Sequence, residues 1–313
     1  SCWVNEKAMH LSGLNVSSEP PDGGDIINDC ILIDNAMKPV QFVIPKPDEN
    51  TVNKWIKLAL DIIIPRGITN IHDAWQDPTT VKVLQQLSEN NELPIRVYGM
   101  LGSSYPKLLK QFFKDGHVSS NNYNIRSVKA FIDGALGSRG AALLEPYLDD
   151  KNNCGLILIT SDEFKDLAYR CREAGFQLCT HAIGDRGNRM VLDVYSEILK
   201  DEKNHRWRIE HAQMVCEEDI PRFAKTGIIP SMQPSHCTSD MPWLHDRLGT
   251  ERLHRISRWK SFIDTGCKIP GGSDCPIEIG NPIFEYYAAV TRQNHDGKPK
   301  DGWYSQEAVS RLD

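Results

Sequence analysis

The sequence lacks any apolar run near the roughly 20 residues that cross a bilayer, so no membrane helix is expected. It also lacks a Lys/Arg-rich block, and a net charge of −6 gives nucleic acid no electrostatic footprint. Nine cysteines include no CxxC pair. Their odd, scattered arrangement predicts reduced thiols and a cytoplasmic location. The opening Ser1-Cys2-Trp3-Val4-Asn5 has neither a methionine nor the charged start of a signal peptide, so it is not expected to be a natural N-terminus. Low-complexity stretches, short-period repeats and a dinucleotide-binding glycine fingerprint are absent as well.

What is there is a globular composition, 40% hydrophobic and 25% charged. The 313 residues suffice for one large α/β domain or two ordinary ones. Short apolar or β-branched runs recur as GITNIH (67–72), PIRVYGML (94–101), SVKAFI (127–132), FQLCTH (176–181), RWRIEH (206–211), GIIPSM (227–232) and CKIPGG (267–272). Helix-like segments at 78–89, 161–174, 186–199, 217–226 and 250–265 separate most of them, and another at 52–64 precedes the first. Strands alternating with amphipathic helices predict βαβ units and a parallel sheet. Seven such strands exceed half of a doubly wound domain, so the expected fold is a (β/α)8 TIM barrel that is one strand short. Residues 1–51 break the rhythm and read as a small β-containing excursion with a hairpin near 25–43, with the barrel at 52–313.

In such a barrel the chemistry comes from the C-terminal strand ends. The fourth strand carries Lys129, then Asp133 and Gly134; the fifth ends in His181; the sixth ends in His211. The seventh runs into Gln233 and His236, and the eighth ends near Asp274. Imidazoles and a carboxylate are ordinary ligands for zinc or a similar divalent ion. Taken singly, each has a plainer reading: a hydrogen-bonded histidine, a turn aspartate, a lysine reaching water past an apolar neighbour. Four strand ends in the right order are what shift the balance toward a metal site.

The motifs VKAFIDGALGSRGAALLEPYLDD, THAIGDRGNRMVLDVYSEI, RIEHAQ, SMQPSH with DMPW, and GGSDCPIE with NPIFEYYAAVTR resemble the amidohydrolase superfamily. The likeness is to its branch of N-substituted formamide deformylases and exoenzyme-regulator-like proteins, and it extends over nearly the whole chain. It implies one or two divalent ions, with zinc the expected metal, Lys129 as a bridging carbamate, and His181 and His211 on one ion. Asp274 would bind the other ion and shuttle a proton. His236 matches a position that polarises a carbonyl or orients substrate, a structural role being the alternative. Ser138, Arg139, Asp185 and Arg186 match motifs near the mouth, where substrate, supporting and loop-fixing roles all stay open, as they do for His72 and Asp73. Asp133 also falls within these motifs.

The family's first strand ends in a His-x-His pair, and no such pair occurs here. The family's β-sandwich is missing too, so the sequence is expected to be a partial chain that starts after strand one. The implied activity is metal-dependent hydrolysis of a C–N bond in a small amide-like substrate by metal-activated water. The alternative is a non-catalytic metal-binding or regulatory barrel. Neither nucleic acid nor membrane is an expected partner, and a homodimer is implied by the resemblance alone. Trp75, Trp243, Tyr286 and Tyr287 are candidates for an aryl or alkyl subsite, or for packing.

Overall fold

Strand 1 of the chain is already part of a small sheet. The computed structural model describes residues 1–313 except 16, 201 and 203. It begins with β1 (Cys2–Trp3), α1 (Glu6–Leu11), β2 (Gly24–Ile27), β3 (Ile31–Asp34) and α2 (Lys38–Val43). The antiparallel order β1-β3-β2 encloses its own apolar cluster of Val4, Met9, Leu32, Ala36 and Val40. The hairpin expected near 25–43 is shorter than the sequence suggested. Its strands meet through a loop with Asn28 and Asp29 at φ 48° and 58°, and 38–43 is helical with Pro39 in the first turn. Asp34 packs closely against the rest of the protein. A Cβ added to Gly134 or Gly140 would lie 2.2 or 2.3 Å from Asp34 Oδ2, so both positions need glycine for the approach.

The larger unit runs through α3 (Glu49–Ile63), β4 (Asn70–Gln76), α4 (Pro78–Glu89), β5 (Arg96–Gly102), α5 (Pro106–Asp115), β6 (Val118–Ser119) and β7 (Tyr123–Phe131). It continues with α6 (Ser161–Glu173), β8 (Gln177–Ala182), α7 (Asp185–Leu199), β9 (Arg208–His211), α8 (Ile220–Thr226) and β10 (Ile229–Ser231). The last helices are α9 (Pro234–Asp240), α10 (Leu244–Leu248), α11 (Trp259–Asp264) and α12 (Pro282–Thr291). Capping sets several of these starts. Asp48 and Asp77 accept N–H groups of Thr51 and Thr80, and Thr160 with Glu163 forms a capping box ahead of α6. The segment expected as one helix at 250–265 breaks into a 3-10 turn and α11, because Ser257 adopts φ 53° between them. None of these helices is long and apolar enough to cross a membrane, among the described residues.

The parallel strands pair in the order β4-β5-β7-β8-β9-β10, with β6 antiparallel on β7. Val128, Ala130 and Ile132 join the helix-side core, while Lys129 and Phe131 turn to the opposite, concave face. The sheet curls as half of a barrel and does not close. The expected eighth strand, 267–272, contributes only one parallel bridge, Met232 with Gly271. Pro270 has no N–H to donate, and Gly271-Gly272 adds no side chain to pack, so pairing ends there. Arg66 spans the gap beyond β4, donating from Nη1 to the carbonyls of Ile279 and Gly280.

Candidate metal centre

Burial on a strand interior decides the state of Lys129. The residue is 3% exposed, its Nζ has no hydrogen-bond partner, and that atom lies 4.0 Å from the Phe131 ring centroid. Desolvation pulls its ammonium down to about 8, against the opposing pull of Glu210 and Asp274. At that value roughly one amine in ten is neutral at pH 7, and only the neutral amine can attack carbon dioxide to form a carbamate.

The parallel register brings the next groups alongside. Phe131 pairs with His181, and His181 pairs with Glu210. The imidazoles of His181 and His211 have centroids 4.6 Å apart at 71°. Burial holds both neutral: His181 is pushed down to about 3, and His211 well below its ordinary value. Neutral rings keep the lone pair that a divalent ion requires. His211 Nδ1 stands 2.7 Å from Gln233 Oε1; as a donor there it leaves Nε2 free. His181 Nε2 is 3.4 Å from the Gly134 carbonyl and 3.6 Å from Asp133 Oδ1. His236, on α9, lies nearly parallel to His211 with centroids 5.8 Å apart. Burial pushes it down to about 4, and its Nε2 is buried without a partner.

These orphaned atoms and neutral rings fit a divalent ion held by His181, His211 and a modified Lys129. Among the described residues, no three His, Cys, Asp or Glu side chains converge into a ready cage. Asp274 stands at φ 51° within electrostatic reach of Lys129 and Glu210. Burial of its carboxyl raises its pKa, Lys129 lowers it and Glu210 raises it further.

The remaining sequence candidates occupy the walls and loops. Asp133 is fully buried and accepts N–H groups of Ala142, Ile183 and Gly184 at 2.9, 3.0 and 2.8 Å. Burial carries its carboxyl to about 7 although these donors pull the other way. Asp185 accepts the Leu144 N–H at 2.8 Å and meets Arg255 at 3.3 Å. Arg186 donates to the carbonyls of Cys154 and Gly155, and Ser138 to that of Ala135. Arg139 forms a two-bond pair with Asp149 at 3.1 and 2.8 Å. The contacts of these residues tie the loops after β7 and β8. Asp73 accepts from Gln76.

Arg208 and Glu210 escaped the sequence reading. Arg208 reaches across the concave face to His72 Nδ1 at 2.8 Å and Met100 Sδ at 3.4 Å, and donates to Glu210 at 2.7 Å. His72 therefore accepts from an arginine, and burial followed by that charge holds its pKa down. The period of two in RWRIEH already put Arg208 and Glu210 on one face. Gln233, by contrast, gave no signal for its bond to His211.

Asp240 on α9 accepts from Gln213 at 2.6 Å, and burial raises its carboxyl from 3.8 to about 6. The folded state therefore binds this proton more tightly than the unfolded chain. Its contribution to stability is full below pH 3.8, falls as pH rises to about 6, and is level beyond. Asp240→Asn is expected to remove that decline, so urea unfolding near pH 4 and near pH 7 should differ less in the variant.

The family model described as "Amidohydrolase family" matches residues 1–312. Putative amidohydrolase YtcJ of Bacillus subtilis (strain 168) is 30% identical over 302 residues, covering 93% of this chain and 56% of that protein. Protein LONG AFTER FAR-RED 3 of Arabidopsis thaliana is 28% identical, covering 99% of this chain and 56% of that protein. An uncharacterized metal-dependent hydrolase from Pyrococcus horikoshii OT3 superposes with a TM-score of 0.80 at 25% identity, covering 97% of this chain and 61% of that one. The chain thus spans about half the length of these curated relatives. It belongs to the amidohydrolase family.

Proposed function

We propose that this chain carries the metal site of a metal-dependent hydrolase that cleaves a C–N bond in a small amide-like substrate. The observation that carries this reading is the buried trio of His181, His211 and Lys129, two neutral rings beside an unpartnered amine. The likeness to a protein named a metal-dependent hydrolase supports it. A divalent ion such as zinc, bound to the two imidazoles and the carbamate of Lys129, would supply Lewis-acid polarisation of the carbonyl and a more acidic water.

The chain's own groups do the rest. Gln233 fixes the His211 ring, and Arg208 holds Glu210 in place beside the lysine. Asp274 takes the proton that water loses as it adds to the carbonyl, and delivers it to the nitrogen as the C–N bond breaks. His236 faces the same space with a free Nε2 and orients the carbonyl oxygen.

Asp274→Asn is expected to lower kcat by about 100-fold or more while metal content stays unchanged. A panel of N-formyl and N-acetyl amines, followed by release of the amine, provides the assay. Undiminished turnover in the variant would remove Asp274 from its role. A chain that binds metal yet turns over none of the panel would favour a binding or regulatory barrel.

A further inference from the structure

Beside the metal-site candidates, three consecutive strand ends contribute aromatic rings. Trp75 near the end of β4, Tyr105 just after β5 and Phe131 at the end of β7 form one cluster. The Trp75 ring lies 6.1 Å from Tyr105 and 5.3 Å from Phe131, centroid to centroid. Phe131 in turn is 5.0 Å from His181.

A missing side chain makes this arrangement fit. A Cβ on Gly102 would come within 2.8 Å of Trp75 Cε2 and 3.0 Å of Tyr105 Cδ2, so the indole occupies a notch that only glycine leaves. Phe131 is 38% exposed although it sits on the interior strand β7, next to a lysine that is 3% exposed. A large apolar ring left open beside a polar cluster marks a place for a ligand's apolar part.

We propose that Trp75, Tyr105 and Phe131 form a subsite for a flat, apolar ring on the amide substrate, with the amide carbonyl directed toward His181. This rests on the hydrolase reading for the orientation, while the ring subsite itself does not need a metal. Offset and edge-to-face packing against three rings selects aryl over small alkyl substituents.

Binding of benzamide and of acetamide, measured by calorimetry or saturation-transfer NMR on the purified chain with and without zinc, tests it. Benzamide is expected to bind at least about 10-fold more tightly than acetamide. Trp75→Leu and Phe131→Leu should each reduce that ratio to about 3 or less. Gly102→Ala should do the same by displacing the indole with a single methyl, and circular dichroism checks that each variant is folded. A ratio near one in the unaltered chain, or one that survives both Trp75→Leu and Gly102→Ala in folded protein, overturns the proposal. A benzamide preference without metal binding or turnover would keep the subsite and discard the hydrolase. Metal binding and turnover without the preference would do the reverse.

Discussion

Asp133→Ala is expected to cost roughly 3–5 kcal/mol of stability, because three buried N–H groups would lose their acceptor at about 1–3 kcal/mol each. The carboxylate stitches three pieces of chain together: Ala142 in the loop after β7, and Ile183 and Gly184 in the turn from β8 to α7. Against a typical total of about 5–15 kcal/mol, such a loss leaves little native protein at moderate temperature. Asp133→Asn keeps the shape and one oxygen, so at best two of the three bonds survive and the loss should be smaller, about 1–2 kcal/mol. Urea unfolding followed by fluorescence measures both. Equal stability of the alanine variant and the unaltered chain would show that water replaces the carboxylate at no cost.

His211→Ala and His181→Ala are each expected to weaken zinc binding by at least about 100-fold, more than the loss of a group that merely orients a ligand. Each ring supplies one neutral donor, and the two rings lie 4.6 Å apart beside Lys129. Zinc per chain, read by plasma mass spectrometry on protein purified without chelator, should fall from near one to near zero. Gln233→Leu tests the orienting bond separately, and a loss of about 10- to 100-fold in affinity is expected from freeing the ring. Unchanged metal content in His211→Ala would place the ion elsewhere.

How much of this was legible beforehand differs by element. Six of the seven runs are strands because β-branched and apolar residues alternate between turn signals, a local property. The same alternation places Lys129 and Phe131 on one face, and strand ends fall where the apolar runs stop at His181 and His211. Parallel pairing then makes neighbours of residues some 50 and 30 positions apart, which requires only that the strands follow in order. The expected eighth strand failed at 267–272, where the apolar letters suggested a strand but Pro270 and two glycines withhold donors and side chains.

The sequence by itself determined the family, the order of the six paired strands with the helices between them, and which of those strands carry imidazole and amine, because each depends on residue type and short-range period. Only the tertiary structure decided what those groups experience. Burial keeps His181 and His211 neutral and lowers the Lys129 ammonium, and burial depends on what packs from other strands. The bonds of Gln233 to His211, of Arg208 to His72, and of Asp133 to three backbone donors join residues distant in sequence. Side-chain geometry across a curled sheet sets such contacts, and no period in the chain encodes them.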